Sequence, residues 1–365
     1  MSHSRAKIDR FFLMSVVTLT VAGFIIFLSA SLGLLAQSGA SFATVALKQA
    51  ISLVIGVGFF FIFSRVKYTE LRKWALFIFI GAICVNLLLF IPGLSIHYNG
   101  ASRWLMLGSL SFQPSELLKI AFIIYIAAWA QFAGDKLKTF KFGLIPYIVI
   151  TGILSLLLLA QSDTDTLVII AFTGMVMLLI GGLKVRHMFI GVALLGLLVV
   201  GVVIFRPYAL QRVKTYLNIS ADTQGSGYQI NQSLIAIGSG QWTGRGFGQS
   251  VQKFGYLPQP TDDSIFAVAA EEFGFIGSII LLSFYLLFAA AAFRIANRAQ
   301  DTFGGLLVVG IAVLVIVESF MNIAAMLGLI PLSGVPLLFV SHGGTALIIT
   351  LMTAGMVANV SKYRK

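Results

Sequence analysis

Apolar runs of about 20 residues recur along this chain, and they constrain its fold more than any other feature. Hydrophobic residues make up 58% of the 365 positions and charged residues only 10%, with a mean hydropathy of +0.97. A water-soluble protein of that composition would expose apolar surface and aggregate. A run of this length instead crosses a bilayer as one helix. The sequence therefore predicts an all-α polytopic membrane protein.

The runs predict ten membrane-spanning helices in a single transmembrane domain that covers residues 1–365. The expected helices lie near residues 11–36, 43–64, 74–92, 115–133, 142–160, 166–183, 187–205, 264–292, 304–328 and 336–360. One long polar stretch, residues 207–263, separates the seventh expected helix from the eighth.

Basic residues indicate which side of the membrane each connection faces. If the N-terminus is cytoplasmic, most of the 25 Lys and Arg residues fall in cytoplasmic segments. Cytoplasmic connections of membrane proteins are enriched in these residues. We therefore expect both termini in the cytoplasm and residues 207–263 as a large extracytoplasmic loop. The net charge of +12 then reflects topology, and we expect no nucleic-acid partner.

Some kinds of chemistry are not expected from this sequence. Cys84 is the single cysteine, so neither a disulfide framework nor a thiolate metal cluster is predicted. The four histidines do not fall at metal-ligand spacing, and the sequence has no Walker loop or dinucleotide-binding glycine motif. We therefore expect no nucleotide cofactor.

An acidic cluster follows the polar stretch. Four of the 13 acidic residues lie within residues 262–272, namely Asp262, Asp263, Glu271 and Glu272. A helix cap accounts for one of the two aspartates without any function. Helical spacing would return a glutamate to roughly the face of Asp263, and carboxylates at membrane depth are usually paired, hydrated or functional. An aspartate there can serve as a general base.

Other outer segments also contain candidate residues. Glu116 and Lys119 sit three apart on one helical face, either as an internal ion pair or as holders of an anionic substrate. Asp163 and Asp165 either cap the next helix or help to bind a cation. Residues 328–345 contain Pro and Gly within an apolar run, which is typical of broken backbone that lines a cavity between helices.

The long loop itself contains two patterns. Arg206, Arg212 and Lys214 suit lipid headgroups or a phosphate-bearing substrate. The glycine-dense part, residues 225–255, predicts backbone packed closely to itself or to a ligand, in an amphipathic or re-entrant element at the outer leaflet.

An ordered series of motifs spans nearly the whole chain. The motifs are NGASRW (99–104), QPSE (113–116) with Lys119, GSGYQ (225–229), QS (232–233), GRGFGQSVQK (244–253), LP (257–258), Asp263, IFA (265–267), Glu271-Glu272 and PLSGVPLLFVSHGGT (331–345). This series resembles the SEDS family, which includes FtsW, RodA and SpoVE. The resemblance implies a peptidoglycan glycosyltransferase that polymerises lipid II at the outer face of the bacterial cytoplasmic membrane, in cell division or elongation.

The resemblance also implies roles for individual residues. It identifies Asp263 as the general base that deprotonates the 4-hydroxyl of the acceptor sugar. Arg103, Lys119 and Arg212 would hold the diphosphate of the donor by charge-assisted hydrogen bonds, and a divalent cation, Mg²⁺ or Mn²⁺, would share that task. The other expected substrate-binding residues are Glu116, Asp163, Gln232, Ser233, Lys253, Glu271, Glu272 and Ser341.

The expected partners are a class B penicillin-binding protein and other membrane proteins of the divisome or elongasome. Tyr228-Gln229 and residues 359–362 favour an FtsW-like over a RodA-like protein. Two alternatives stay open, a lipid II flippase and a non-catalytic scaffold for the penicillin-binding protein. The chain also departs from the family pattern at three places of interest: Asp262 precedes the expected base, Glu318 stands where Gln is usual, and His342 replaces a usual Tyr.

Overall fold

A computed structural model describes residues 7–36, 42–98, 101–107, 110–218, 222 and 224–363. The helices are α1 (Arg10–Ser31), α2 (Phe42–Arg65), α3 (Tyr68–Leu87), α4 (Pro114–Ala133), α5 (Ile145–Ala160), α6 (Thr164–Ile180), α7 (Val185–Phe205), α8 (Pro207–Leu217), α9 (Ser226–Ser239), α10 (Ile265–Asn297), α11 (Thr302–Met326) and α12 (Gly344–Val360). Three short strands, β1 (Ser95–Tyr98), β2 (Ala101–Leu107) and β3 (Leu110–Phe112), form one antiparallel sheet in that order. Asn99 and Gly100 of the first motif lie outside the described residues.

The helical, multi-pass architecture is confirmed. Eight helices of the described chain are long and apolar enough to cross a membrane, and two shorter apolar helices, Thr164–Ile180 and Gly344–Val360, accompany them. One element was not anticipated, and one expectation was wrong in detail. The sheet between α3 and α4 was not predicted, and the helix expected over 336–360 begins only at Gly344. Pro336 and the Gly343-Gly344 pair keep the residues before it out of a helical conformation.

The core is centred on α11. This helix packs against α10, α4, α6 and α12, and 78% of its most apolar window is buried inside the protein, compared with 6% for α7. Small residues let other pairs of helices, such as α2 and α12, approach closely. A Cβ added to Gly355 of α12 would lie 2.5 Å from the carbonyl oxygen of Phe60 in α2. Close backbone approach through glycine is a usual means of helix association in membranes.

α10 is divided into two half-helices at Gly274. This residue has φ 66° and ψ −164°, a conformation that is open essentially only to glycine. One half-helix, residues 265–273, is buried at every position from Ile265 to Glu272, whereas the other, residues 275–297, exposes apolar side chains such as Phe275 and Ile276. We call the first the outer and the second the inner half-helix, after the topology expected from the sequence. The break therefore separates a segment enclosed by the protein from one with exposed apolar side chains.

Backbone groups left free by the break bind to the outer loop. The amides of Phe275 and Ile276 donate to the carbonyls of Gln241 (2.8 Å) and Trp242 (3.1 Å). In the opposite direction, the amides of Arg245 and Gly246 donate to the carbonyls of Glu271 and Glu272, each at 3.0 Å. Unpaired backbone groups at membrane depth are costly, and the loop satisfies four of them.

The close approach of the loop to α10 also explains part of the glycine content of the loop. A Cβ on Gly240 would lie 2.1 Å from the carbonyl oxygen of Ala270, and one on Gly244 would lie 2.1 Å from that of Glu272. The expectation that the glycine-dense segment packs closely against other backbone is confirmed. Residues 241–246, which we call the splice segment, fill the gap in α10.

Helix dimensions show that the outer half-helix turns away from the axis of α10. Gly305 lies beside Ala296, and from that level Asn322 is about 26 Å along α11, since an α-helix rises about 1.5 Å per residue. A straight α10 would place Ile265 about 46 Å from Ala296. The side chain of Asn322 nevertheless hydrogen-bonds the carbonyl of Asp263 at 2.7 Å. The break thus brings Asp263 back to the level of the outer end of α11.

We expect Gly274→Ala to destabilise the protein. A Cβ there would lie 2.3 Å from the amide nitrogen of Gly244, and the backbone conformation costs a residue other than glycine about 1–3 kcal/mol. Thermal unfolding in detergent should show a lower Tm. Gly81→Ala, in open space on α3, is the control and should stabilise by about 0.5–1 kcal/mol. Equal Tm values for both variants would contradict the assigned role of Gly274.

Candidate active site

Asp263 is half-buried in a non-helical turn, residues 261–264, directly before α10. Its Oδ1 atom is buried and has no hydrogen-bond partner among the described residues. The neighbouring Ser264 accepts a hydrogen bond from Nε2 of Gln229 in α9 (2.9 Å). A buried carboxylate oxygen without a partner is rare in a folded protein and is free to accept a proton from a ligand.

Three consecutive carbonyl groups fix this turn. The amide of His342 donates to Thr261 (2.7 Å) and the hydroxyl of Ser341 donates to Asp262 (2.6 Å). Nδ2 of Asn322 donates to Asp263 (2.7 Å). These contacts come from α11 and from the non-helical residues before α12, so the broken backbone at 336–343 supports the turn that contains Asp263.

The support is itself buried and connected to other helices. Ser341 Oγ also accepts from the amide of Leu337 (2.8 Å), and its carbonyl accepts from Nε2 of Gln49 in α2 (3.2 Å). The ring of His342 stacks on that of Phe27 in α1, with centroids 5.6 Å apart. Burial and the charge of the nearby Lys48 lower the pKa of His342. Ser341 therefore binds the turn of the candidate base.

Both aspartates of this turn have raised pKa values. Burial raises the pKa of Asp263 to about 6, against the opposing effects of the Gln229 amide and the Arg212 charge. Burial and then the charge of Asp263 raise the pKa of Asp262 to about 7. Carboxyl groups poised near neutral pH are typical of general acids and bases.

Arg212 of α8 lies close to the segment that supports this turn. Its guanidinium makes two hydrogen bonds to Asp165, of 2.9 and 3.2 Å, and stacks over the ring of Tyr208 at 4.5 Å. It also approaches Gly334 of the segment before α12. Arg212 therefore pairs with Asp165 and lies against the segment before α12, which also supports the Asp263 turn.

Arg103 of β2 binds the start of α6. It donates to the carbonyl of Ser162 and lies 3.9 Å from the carboxylate of Asp163. Asp163 also accepts from the amide of Thr166 (3.4 Å), which confirms the helix-cap interpretation of Asp163. Nε of Arg103 and Oδ2 of Asp163 are buried without partners among the described residues.

Lys119 is buried between two carboxylates. Its ammonium lies 2.9 Å from Glu116 on the same helix and 2.6 Å from Glu318 of α11. All three side chains are at most 4% exposed. The predicted internal ion pair is present, and Glu318 adds a second carboxylate, so that two carboxylates share one ammonium group.

Glu271 and Glu272 bind the outer loop and α1. Glu271 accepts from the hydroxyl of Ser250 (2.6 Å) and the amide of Val251 (3.1 Å). Glu272 pairs with Lys253 (2.7 Å) and accepts from Ser29 (2.6 Å). None of the hydrogen bonds or ion pairs described for these glutamates reaches Asp263. The expected shared helical face was wrong, because α10 begins after Asp263.

The remaining candidate residues lie on α9. The hydroxyl of Ser233 donates to the carbonyl of Gln229 (2.8 Å) and contacts the sulfur of Met326 (3.3 Å). Gln232 is half-buried beside it. Their expected role in substrate binding stays a prediction, as it does for the other candidates, namely Arg103, Glu116, Lys119, Asp163, Arg212, Lys253, Glu271, Glu272 and Ser341. Within the described ranges, no group of three or more His, Cys, Asp and Glu side chains could hold a metal ion.

Several residues of this site were not found by sequence reasoning. Asn322, Gln229 and Gln49 hold the turn or its support through side-chain amides. Their partners are backbone carbonyls and a serine hydroxyl on distant segments, and that kind of contact leaves no pattern in the sequence. The one available signal was the position of Asn322, one turn after the unusual Glu318.

Comparisons with known proteins agree with this architecture. The family model FTSW_RODA_SPOVE, described as "Cell cycle protein", matches residues 9–365. The "Probable peptidoglycan glycosyltransferase FtsW" of Geobacter sp. (strain M18) is 37% identical over 354 residues, which cover 97% of this chain and 96% of that protein. The "Stage V sporulation protein E" of Bacillus subtilis (strain 168) is 36% identical over 319 residues, which cover 87% of each.

Solved structures share the fold. A chain from "Structural coordination of polymerization and crosslinking by a peptidoglycan synthase complex" matches with a TM-score of 0.79 at 28% identity, and the match covers 98% of both chains. The rod shape determining protein RodA of Thermus thermophilus matches with a TM-score of 0.68 at 24% identity, over 98% of this chain and 97% of its own. The second likeness shows the fold alone.

We expect removal of the cation and removal of one carboxylate from the buried group around Lys119 to have unequal effects on stability. Lys119→Met leaves two buried carboxylates without a cation and should destabilise the protein by about 3–5 kcal/mol. Glu318→Gln keeps an acceptor for Lys119, removes the excess negative charge, and should leave Tm unchanged or raise it. Thermal unfolding in detergent checks both. A fall in Tm for Glu318→Gln as large as that for Lys119→Met would contradict this balance of charges.

Proposed function

We propose that this chain, which belongs to the cell cycle protein family of FtsW, RodA and SpoVE, polymerises lipid II into glycan strands as a peptidoglycan glycosyltransferase. Relatives 36–37% identical over nearly the whole chain are named for glycosyltransferase activity. The observation that carries the proposal is the Asp263 carboxylate, held on a fixed turn with a buried, unpartnered oxygen.

In this proposal Asp263 is the general base. It accepts the proton of the acceptor 4-hydroxyl, whose oxygen attacks C1 of the donor sugar. The bond from C1 to the diphosphate breaks, the anomeric configuration inverts, and undecaprenyl diphosphate leaves. A base is most effective when its pKa is close to the working pH, and burial raises the pKa of Asp263 to about 6.

Recognition of the donor diphosphate is constrained by charge. Arg103, Lys119 and Arg212 each already have a carboxylate partner in the protein. A diphosphate would therefore add negative charge to a site whose cations are already balanced, unless it displaces such a partner or brings positive charge with it. Mg²⁺ and Mn²⁺ fit the second case, since Mg²⁺ commonly binds through one or two carboxylates plus substrate phosphates. The described residues offer no group of three or more His, Cys, Asp or Glu side chains for such an ion, so the substrate phosphates would supply most of its ligands, and the ion would help to neutralise the leaving diphosphate.

We further propose ten membrane spans with both termini in the cytoplasm of a bacterium. The two shorter apolar helices, Thr164–Ile180 and Gly344–Val360, would complete the eight longer ones. The distribution of basic residues supports this orientation. It directs the Asp263 turn to the outer face of the cytoplasmic membrane, where the diphosphate headgroup of lipid II would reach it.

A class B penicillin-binding protein is the proposed partner, within the divisome or elongasome. The likeness to a chain of a peptidoglycan synthase complex supports such an assembly. The two alternatives from the sequence, a lipid II flippase and a non-catalytic scaffold, are not favoured by the names of the relatives.

Asp263→Asn should abolish polymerisation, whereas Asp262→Asn should retain most of it. The first variant removes the base and should lower kcat about 10²–10⁴-fold. The second keeps the turn and the buried oxygen of Asp263. Gel analysis of glycan made from labelled lipid II by the purified chain with a penicillin-binding protein checks both. Full activity of Asp263→Asn would contradict the assignment, as would loss confined to Asp262→Asn.

The pH dependence provides a second test. The base must be ionised, so kcat/KM should be low at acidic pH. It should rise as the pH passes through about 6, the raised pKa of Asp263. An ordinary aspartate would place this limb near pH ~4. Because burial is the main cause of the shift, the limb should remain near pH 6 in Asp262→Asn. A limb near pH 4 in the unmodified protein would show that Asp263 is not the titrating base.

A further inference from the structure

Two buried residues near the splice segment, Lys253 and Glu272, form an ion pair that the proposed reaction does not use directly. Lys253 and Glu272 are 0% and 1% exposed and lie 2.7 Å apart. Ser29 of α1 donates to Glu272 and also contacts the Lys253 ammonium at 3.2 Å. These three polar groups satisfy one another within apolar surroundings, and no path to a substrate is needed to explain them.

The pair connects three parts of the chain at the break in α10. Glu272 lies two residues before Gly274, and its carbonyl accepts from Gly246 of the splice segment. Lys253 lies further along the same loop, and a Cβ on Gly33, after α1, would lie 2.3 Å from the carbonyl oxygen of Lys253. The ion pair therefore ties the outer half-helix to the loop and to α1 close to the break.

The direction of the outer half-helix decides where Asp263 lies. One end of that half-helix is held at the break by the splice segment and the ion pair. The other end is held by Asn322, whose amide binds the carbonyl of Asp263. The half-helix has only nine residues, about 13 Å at the usual helical rise. A change of angle at the break would therefore move the carboxylate relative to Arg212 and Asn322.

We propose that Lys253 and Glu272 are positioning residues, which fix the outer half of α10 and thereby the location of Asp263, and which do not contact lipid II. This inference rests on the proposed function for its meaning in catalysis. Its structural content, a coupling between the ion pair and the Asp263 turn, stands without it.

A positioning role and a direct substrate-binding role for the pair predict different outcomes for a double variant. Lys253→Met leaves the charge of Glu272 buried without a partner, and Glu272→Gln does the same to Lys253. If the pair acts by position, the combination Lys253→Met with Glu272→Gln removes both charges and restores the fit. If either residue instead binds the substrate directly, the combination is at least as defective as the worse single variant.

The experiment measures kcat and KM for lipid II polymerisation by the full chain with its penicillin-binding protein. Each single variant should lower kcat about 100-fold with little change in KM, because small misplacements of a reacting group have effects of that size. The double variant should recover to within about tenfold of the unmodified protein. Lys73→Met and Lys73→Met with Glu70→Gln, an exposed pair on α3, are the matched controls and should change neither parameter.

Hydrogen exchange on the same variants decides the structural content without lipid II. The single variants should exchange faster over residues 259–273, and the double variant should be protected again. If a single variant fails to fold, Glu272→Asp, which keeps both charges and shortens the acid by one methylene, should show a smaller effect of the same kind.

Unchanged exchange in folded single variants would overturn the proposal, and so would a double variant no better in kcat than either single one. Absence of polymer from the unmodified protein would instead refute the proposed function and leave the exchange result to decide this inference.

Discussion

The break in α10 is the constraint on which the candidate site depends. A continuous helix from Ile265 to Asn297 would carry the Asp263 turn far beyond the outer end of α11. Gly274 interrupts the helix, and the splice segment satisfies backbone groups on both sides of the gap. Because these hydrogen bonds are internal to the protein, a non-helical conformation is tolerated at membrane depth. The outer half-helix can then remain inside the bundle, where every residue from Ile265 to Glu272 is buried.

The buried charges have two different relations to the break. Lys253, Glu271 and Glu272 hold the loop against the outer half-helix. Arg212 and Asp165 pair with each other instead, and Arg212 lies against Gly334 of the segment before α12. Three cations are expected to bind a diphosphate, namely Arg103, Lys119 and Arg212. Each is balanced by a protein carboxylate, so the site has less free positive charge than these residues alone would provide. This balance is why a divalent cation belongs to the proposed function, even though the described residues provide few ligands for it.

Sequence reasoning anticipated the architecture well, because hydrophobic runs and basic connections report directly on membrane helices. It also identified Asp263 and the close-packed glycines. It failed where the outcome depends on one backbone conformation. Nothing in the local pattern around Gly274 distinguishes a helix break from an ordinary helical glycine, and the face shared by Asp263 and the glutamates was inferred from a helix that begins two residues later. The amide contacts of Asn322, Gln229 and Gln49 join distant segments and were equally inaccessible.

One distance tests the central claim most directly. Spin labels at Gln259 and Arg298, both exposed, would flank α10 after Cys84, the single cysteine, is replaced by serine. With the outer half-helix turned across the bundle, electron–electron double resonance should give a separation of about 30 Å, from the rise along α11 and the lateral offset of the half-helix. A separation of about 50 Å, expected for one straight helix, would contradict the account.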